Sequence, residues 1–150
     1  MFVKPSAFDD VTRAILASAI EVHRALGPGL LESIYMQCIE FELASRNLRF
    51  VVQKPVPIVY KGMVLNASYR IDLIVEDLVV VDVKSVAALA PVHQAQVLTY
   101  LRLTRCPVGL LINFNVPRLM DGVKRLINTH AGGNRGNGGN GITQRNRETE

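Results

Sequence analysis

Apolar residues recur every three or four positions between Asp9 and Leu26, with Val11, Ile15, Ala19, Val22 and Leu26 along one side of a predicted helix. Asp9 or Asp10 stands where an acidic cap opens such a helix. Gly27-Pro28-Gly29 breaks the pattern, which resumes from about Leu30 to Arg46. There Leu31, Ile34, Cys38, Ile39 and Leu43 form the expected buried stripe. Residues 49 to 60 read as extended, and Pro55 and Pro57 suit an edge or irregular strand. Lys61-Gly62 is a turn, after which Val64 to Tyr69 begins a strand that continues through Asp72. Residues 70 to 76 and 79 to 85 are β-branched runs around a polar turn at Glu76-Asp77, the pattern of a tight hairpin. Ala87 to Pro91 is a loop, Val92 to Leu103 a third helix, and Val108 to Phe114 a buried strand. Pro117 opens a short last helix to about Asn128. The predicted order is αα-βββ-α-β-α, in the α/β class.

Composition narrows the setting. At 150 residues the chain has room for one domain with a real core. Residues 1 to 130 are assigned to that domain, and 131 to 150, rich in Gly, Asn and Arg, to a disordered tail. No apolar run approaches the roughly 20 residues that span a bilayer, and the N-terminus lacks signal-peptide architecture. No membrane partner is expected, and the cytoplasm is the expected compartment. Cys38 and Cys106 are too few for a disulfide framework, a zinc site or a four-cysteine iron–sulfur cluster. A net charge of +4 and a pI near 9.3 suit a polyanionic partner without requiring one.

One strand carries unexpected charge. Asp82 and Lys84 interrupt the apolar run Val79 to Ser85, and burying charge is costly unless it is paired or bound to metal. With a three-residue loop of Glu76, Asp77 and Leu78, Asp72 falls opposite Asp82, and Lys84 shares the Asp82 face. A two-residue loop would shift the register and separate the aspartates. Opposed like charges destabilise a sheet unless a cation offsets them. A small polar network neutralised by Lys84 fits the same pattern. Glu32 opens the second helix, where the helix dipole alone favours an acid. Tyr35 is one turn on, and Gly29 stands at the tight reversal before both. On the third helix His93, Gln96 and Tyr100 share one face. His23 reads as a helix-surface residue, and Asn113 and Asn115 as turn or capping residues.

Together these residues resemble the PD-(D/E)XK nuclease superfamily, in particular its RecB-like branch, and small bacterial proteins named for a G-x-x-E-x-x-Y motif. That motif stands as Gly29-Leu30-Leu31-Glu32-Ser33-Ile34-Tyr35. The central signature appears as Asp72 followed by Asp82-Val83-Lys84, and the Q-x-x-x-Y element as Gln96 to Tyr100. Asp82 departs slightly from the small-protein family, where glutamate is common. The resemblance spans roughly residues 9 to 128 and implies a restriction-endonuclease-like fold: a mixed sheet of about four strands flanked by helices.

It also implies a chemistry. Asp72 and Asp82 would bind Mg²⁺, with Mn²⁺ as substitute, and the Val83 backbone carbonyl would be a third ligand. Glu32 would bind through water or hold a second metal. Lys84 would orient or deprotonate the attacking water, or neutralise charge on the phosphate. Gln96 would steady the phosphate or water, and Tyr100 would support it. The expectation is a magnesium-dependent nuclease acting on nucleic acid, foremost DNA. The alternatives are a nucleic-acid-binding domain of the same fold that no longer cuts, and a protein-interaction domain. Target choice leaves room for a homodimer or a partner protein. Single- and double-stranded substrates, and endo- and exonuclease action, stay equally open at this level.

Overall fold

The computed structural model describes residues 7–65 and 69–129. The predicted tail lies outside these residues. Helices α1 (Ala7–Leu26) and α2 (Glu32–Ser45) lead into strand β1 (Phe50–Pro55) and a small hairpin, β2 (Ile58–Tyr60) and β3 (Met63–Leu65). Then follow β4 (Arg70–Val75), β5 (Val79–Lys84), α3 (Pro91–Thr104), β6 (Val108–Asn113), a 3-10 turn (Leu119–Gly122) and β7 (Val123–Ile127). The main sheet has the order β1-β4-β5-β6-β7; β5 and β6 are parallel, and every other neighbouring pair is antiparallel. This is the expected mixed sheet flanked by helices. No helix among the described residues is long and apolar enough to cross a membrane.

The period-two alternation of β5 decides which helix meets which side chain. Val79, Val81 and Val83 join the core under α1 and α2, with Ile15, Ile39 and Leu43. Val80 faces the other way, into the core under α3 with Val97, Leu101, Leu111 and Leu126. Asp82 and Lys84 share the parity of Val80, so both emerge on the α3 side. The parallel β5–β6 pair needs a crossover, and α3 supplies it. It lies close to the sheet because residue 109 is glycine: a Cβ there would sit 2.7 Å from Val97 Cγ1.

Four local expectations are corrected. The last predicted helix is instead the 3-10 turn and strand β7. Five residues rich in Val, Leu and Ile are too few for a stable helix. They pair with β6 from Val108↔Ile127 to Ile112↔Val123 and remove its open edge. Among the described residues the main sheet therefore has five strands. Of the strand expected to run from Val64 through Asp72, Met63–Leu65 and Arg70–Val75 lie in different sheets, and among the described residues β3 pairs with β2 alone. On α2 the buried face is Tyr35, Met36, Ile39 and Leu43, while Leu31 is 73% and Ile34 38% exposed. The helix starts at Glu32, and Tyr35, stacked on Phe114 at 4.5 Å between ring centroids, draws its own side of the helix inward. His23 is buried rather than on the surface; its Nε2 lies 2.8 Å from the Val116 carbonyl and ties α1 to the segment after β6.

Candidate functional site

The hairpin between β4 and β5 has the register on which the site depends. Glu76 and Asp77 both take left-handed φ angles, and the Leu78 amide donates to the Val75 carbonyl at 3.0 Å. The three residues 76–78 thus join Val75↔Val79, followed by Ile74↔Val80 and Leu73↔Val81. One further step of the same register sets Asp72 opposite Asp82. The backbone ladder is replaced here. The Val83 amide donates to Asp72 Oδ2 at 2.8 Å, so a side chain takes the place of a β4 carbonyl. In antiparallel geometry the N–H and C=O of one residue point to the same edge, which turns the Val83 carbonyl toward the same opening.

Asp82 is only 4% exposed. Lys84 Nζ approaches Asp82 Oδ2 at 3.3 Å, yet that buried oxygen accepts no hydrogen bond among the described residues. Burial, then the neighbouring Asp72 charge, push the Asp82 carboxyl up to about 7 against the partial relief of Lys84. One ammonium does not neutralise two adjoining carboxylates. Tyr100, 4% exposed on α3, senses the same charge: its hydroxyl is pushed up to about 12, first by burial and then by Asp82 and Asp72. Gln96, one turn earlier, lines an open groove of about 600 Å³ together with Tyr100, His93, Tyr69 and Ile58. His93 does a structural job as well, since its Nδ1 accepts the Ala90 amide at the start of α3.

Glu32 stands apart from the aspartate pair. It is exposed at the first turn of α2, and its side chain has no hydrogen bond or ion pair with a described residue. Among the described residues no three His, Cys, Asp or Glu side chains gather into a ready metal cage. What holds Glu32 near the end of β5 is its backbone. Ser85 Oγ, next to Lys84, donates to the Leu30 carbonyl at 2.6 Å. The Tyr35 hydroxyl donates to the Gly27 carbonyl and accepts the Leu30 amide, at 2.5 and 3.1 Å. Gly29, at φ +100°, allows the chain to reverse inside that clamp. Gly29 and Tyr35 therefore shape the turn before Glu32. Asn113 works similarly on the far side. Its side-chain amide accepts from the Val86 amide and donates to the Val86 carbonyl, fixing the segment after Lys84.

Sequence reading missed Gln53. It sits in the middle of β1 with a left-handed φ of +52°, between the pairs Val52↔Leu73 and Lys54↔Ile71. Its Nε2 lies 3.5 Å from Asp72 Oδ1. A strand glutamine among Val51, Val52 and Lys54 offers no signal of this; only the position of β1 beside β4 reveals it.

The donor set suits a hard divalent cation. Asp72 and Asp82 offer oxygen atoms only, one of them buried without a hydrogen bond, and Mg²⁺ commonly takes one or two carboxylates plus water and substrate phosphate. The family model described as PD-(D/E)XK nuclease superfamily matches residues 9–126. No curated protein and no solved structure matches.

Proposed function

The chain belongs to the PD-(D/E)XK nuclease superfamily, and on that premise we propose that it is a divalent-cation-dependent nuclease that hydrolyses phosphodiester bonds in DNA, with Mg²⁺ as its ion. The observation that carries this is the pair Asp72–Asp82, drawn together by the register with Lys84 at 3.3 Å and one buried oxygen left without a hydrogen bond. Two adjoining acids with a single ammonium beside them are costly, and a cation lowers the cost. Within the superfamily, the Gly29–Tyr35 clamp around Glu32 and the Gln96/Tyr100 pair support membership of the RecB-like branch and of the G-x-x-E-x-x-Y proteins.

When bound, the cation polarises the phosphate and acidifies water. The side chains do the rest. Asp72 and Asp82 would hold it, with the Val83 carbonyl turned toward the same opening. Lys84, beside Asp82, would orient the attacking water, take its proton or offset charge on the phosphate. Gln96 would position a non-bridging phosphate oxygen from the groove wall, and buried Tyr100 would set the back of that wall. Glu32 would act from the rim through water. Gln53 would keep Asp72 aimed.

Cleavage of labelled linear and circular DNA, single- and double-stranded, tests the proposal. Products are expected with Mg²⁺ or Mn²⁺, none with EDTA, and full recovery when the cation is restored. Persistent cleavage in EDTA would rule out the cation-dependent reading.

Gln53 permits a separate test. Glycine removes the roughly 1–2 kcal/mol cost of a left-handed φ, partly offset by its greater freedom in the unfolded chain. Gln53→Gly is therefore expected to hold stability within about 1 kcal/mol of the parent while the cleavage rate falls about tenfold. Chemical denaturation and initial rates measure the two; unchanged rates would remove Gln53 from the site.

A further inference from the structure

The groove beside the acid pair has walls that a nuclease centre alone does not explain. One wall is α3, with Val92 67% exposed beside Gln96 and Tyr100. The other is built by the start of the β2–β3 hairpin and by Tyr69, which is 52% exposed. Among the described residues the hairpin pairs with no other strand, and Tyr60, Met63 and Val64 stand 56%, 55% and 70% exposed on it. None of the groove's lining residues is acidic. Exposed Lys54 and Arg70 stand on the paired strands β1 and β4, and exposed Lys61 is in the hairpin turn, its Nζ 5.3 Å from the centre of the Tyr60 ring.

We infer that this groove and the adjoining hairpin bind single-stranded DNA, with bases stacked on Tyr69 and Tyr60 and phosphates met by Lys54, Lys61 and Arg70. Exposed aromatic rings interleaved with basic side chains are the chemistry that unpaired strands recognise. A duplex does not present this complement. Its base faces are stacked inside the helix, and what it offers a protein is sugar, phosphate and base edges. An apolar groove of about 600 Å³ would stay unfilled against such a surface. Unpaired bases fill it. The lining is chiefly apolar, which suits the C5-methyl of thymine over the bare edge of uracil and favours DNA over RNA. Gln96 and Tyr100 line the groove, and Tyr100 packs in one core with Val80, on the face of β5 from which Asp82 emerges, so a strand lying in the groove runs along the acid-bearing face. That the strand is cut there rests on the nuclease reading; the binding does not.

The test is fluorescence anisotropy on the full chain in EDTA, where nothing is cut. The probes are a labelled thymidine oligonucleotide, a duplex of equal length and a uridine RNA oligonucleotide. The single-stranded DNA is expected to bind at least tenfold more tightly than either competitor. Tyr69→Ala is expected to weaken it about tenfold, whereas Tyr69→Phe, which keeps the stacking face, stays within twofold. Lys61→Ala is expected to reduce the salt dependence of binding. Equal or tighter binding of duplex or RNA overturns the inference. So does a Tyr69→Ala protein that is folded by circular dichroism and binds as the parent does, which would leave the hairpin as a protein-docking surface. Failure of the nuclease reading has a different signature: single-stranded DNA bound as expected, yet no cleavage with any cation.

Discussion

Replacing Lys84 with alanine is expected to lower DNA cleavage by about a thousandfold or more while divalent-cation binding persists. Lys84 is 18% exposed in its side chain and rises from the same face of β5 as Asp82, so it reaches the opening without being lost in solvent. It sits beside the acids, but it is not an oxygen donor. Its loss therefore removes a proton acceptor or a positive charge from the reacting atoms and leaves the cation ligands in place. A secondary effect follows from electrostatics. Lys84 is the neighbour that lowers the Asp82 pKa, so without it Asp82 holds its proton more firmly. Cation affinity of Lys84→Ala is expected to fall several-fold at neutral pH and to recover as the pH is raised. Isothermal titration with Mg²⁺ at two pH values reads this apart from catalysis. Lys84→Arg divides the two roles: a guanidinium keeps the charge but does not give up its proton near neutrality. Substantial residual cleavage by Lys84→Arg assigns Lys84 to charge stabilisation; none assigns it to proton transfer. Full activity in Lys84→Ala would show that the chemistry lies elsewhere on the molecule.

The parts of the site legible in the sequence were those set by short-range geometry. Asp82 and Lys84 share a face because alternate residues of a strand do, and the Asp72–Asp82 juxtaposition followed once the loop had three residues. Gln96 and Tyr100 share a helix face for the same kind of reason. What was not legible depended on which distant elements meet. Gln53 enters only because β1 lies beside β4, and its left-handed φ has no counterpart in residue preference. His23 looked like a surface residue until the segment after β6 passed over it. The C-terminal error has a similar origin. Val123 to Ile127 is ambiguous by periodicity, and the unpaired edge of β6 decides for strand. The rotated face of α2 came from Tyr35, which the sequence places beside Glu32 and outside the expected buried stripe. Its ring is instead fully buried against Phe114, with the hydroxyl spent on the Gly27–Leu30 turn.

The second large effect is expected at Asp82. Its carboxyl titrates near 3.8 in the unfolded chain and is pushed up to about 7 in the folded one by burial and by Asp72. Between those values the native state holds a proton that the unfolded chain has released. The stability this contributes is complete below the lower value and is lost as the pH rises through the upper one. The cation-free protein is therefore expected to lose thermal stability from about pH 4 to pH 7 and to level off above. Asp82→Asn keeps the shape and removes the charge, so this slope should vanish. Above pH 7 the cation-free variant is expected to be more stable than the parent by about 1–4 kcal/mol, the range seen when buried charge is replaced. Mg²⁺ should reverse the order. In the parent it binds the folded state and raises Tm by mass action, whereas the variant has lost a ligand and gains little. Cleavage by Asp82→Asn should fall at least a thousandfold, so one substitution stabilises the resting fold and abolishes the reaction. The repulsion of two adjoining carboxylates is then one that a bound cation would relieve. Differential scanning calorimetry of both proteins from pH 4 to pH 8.5, with and without Mg²⁺, measures all of this except cleavage. Parallel Tm profiles and equal Mg²⁺ shifts would show that Asp82 neither titrates as its burial dictates nor holds the ion.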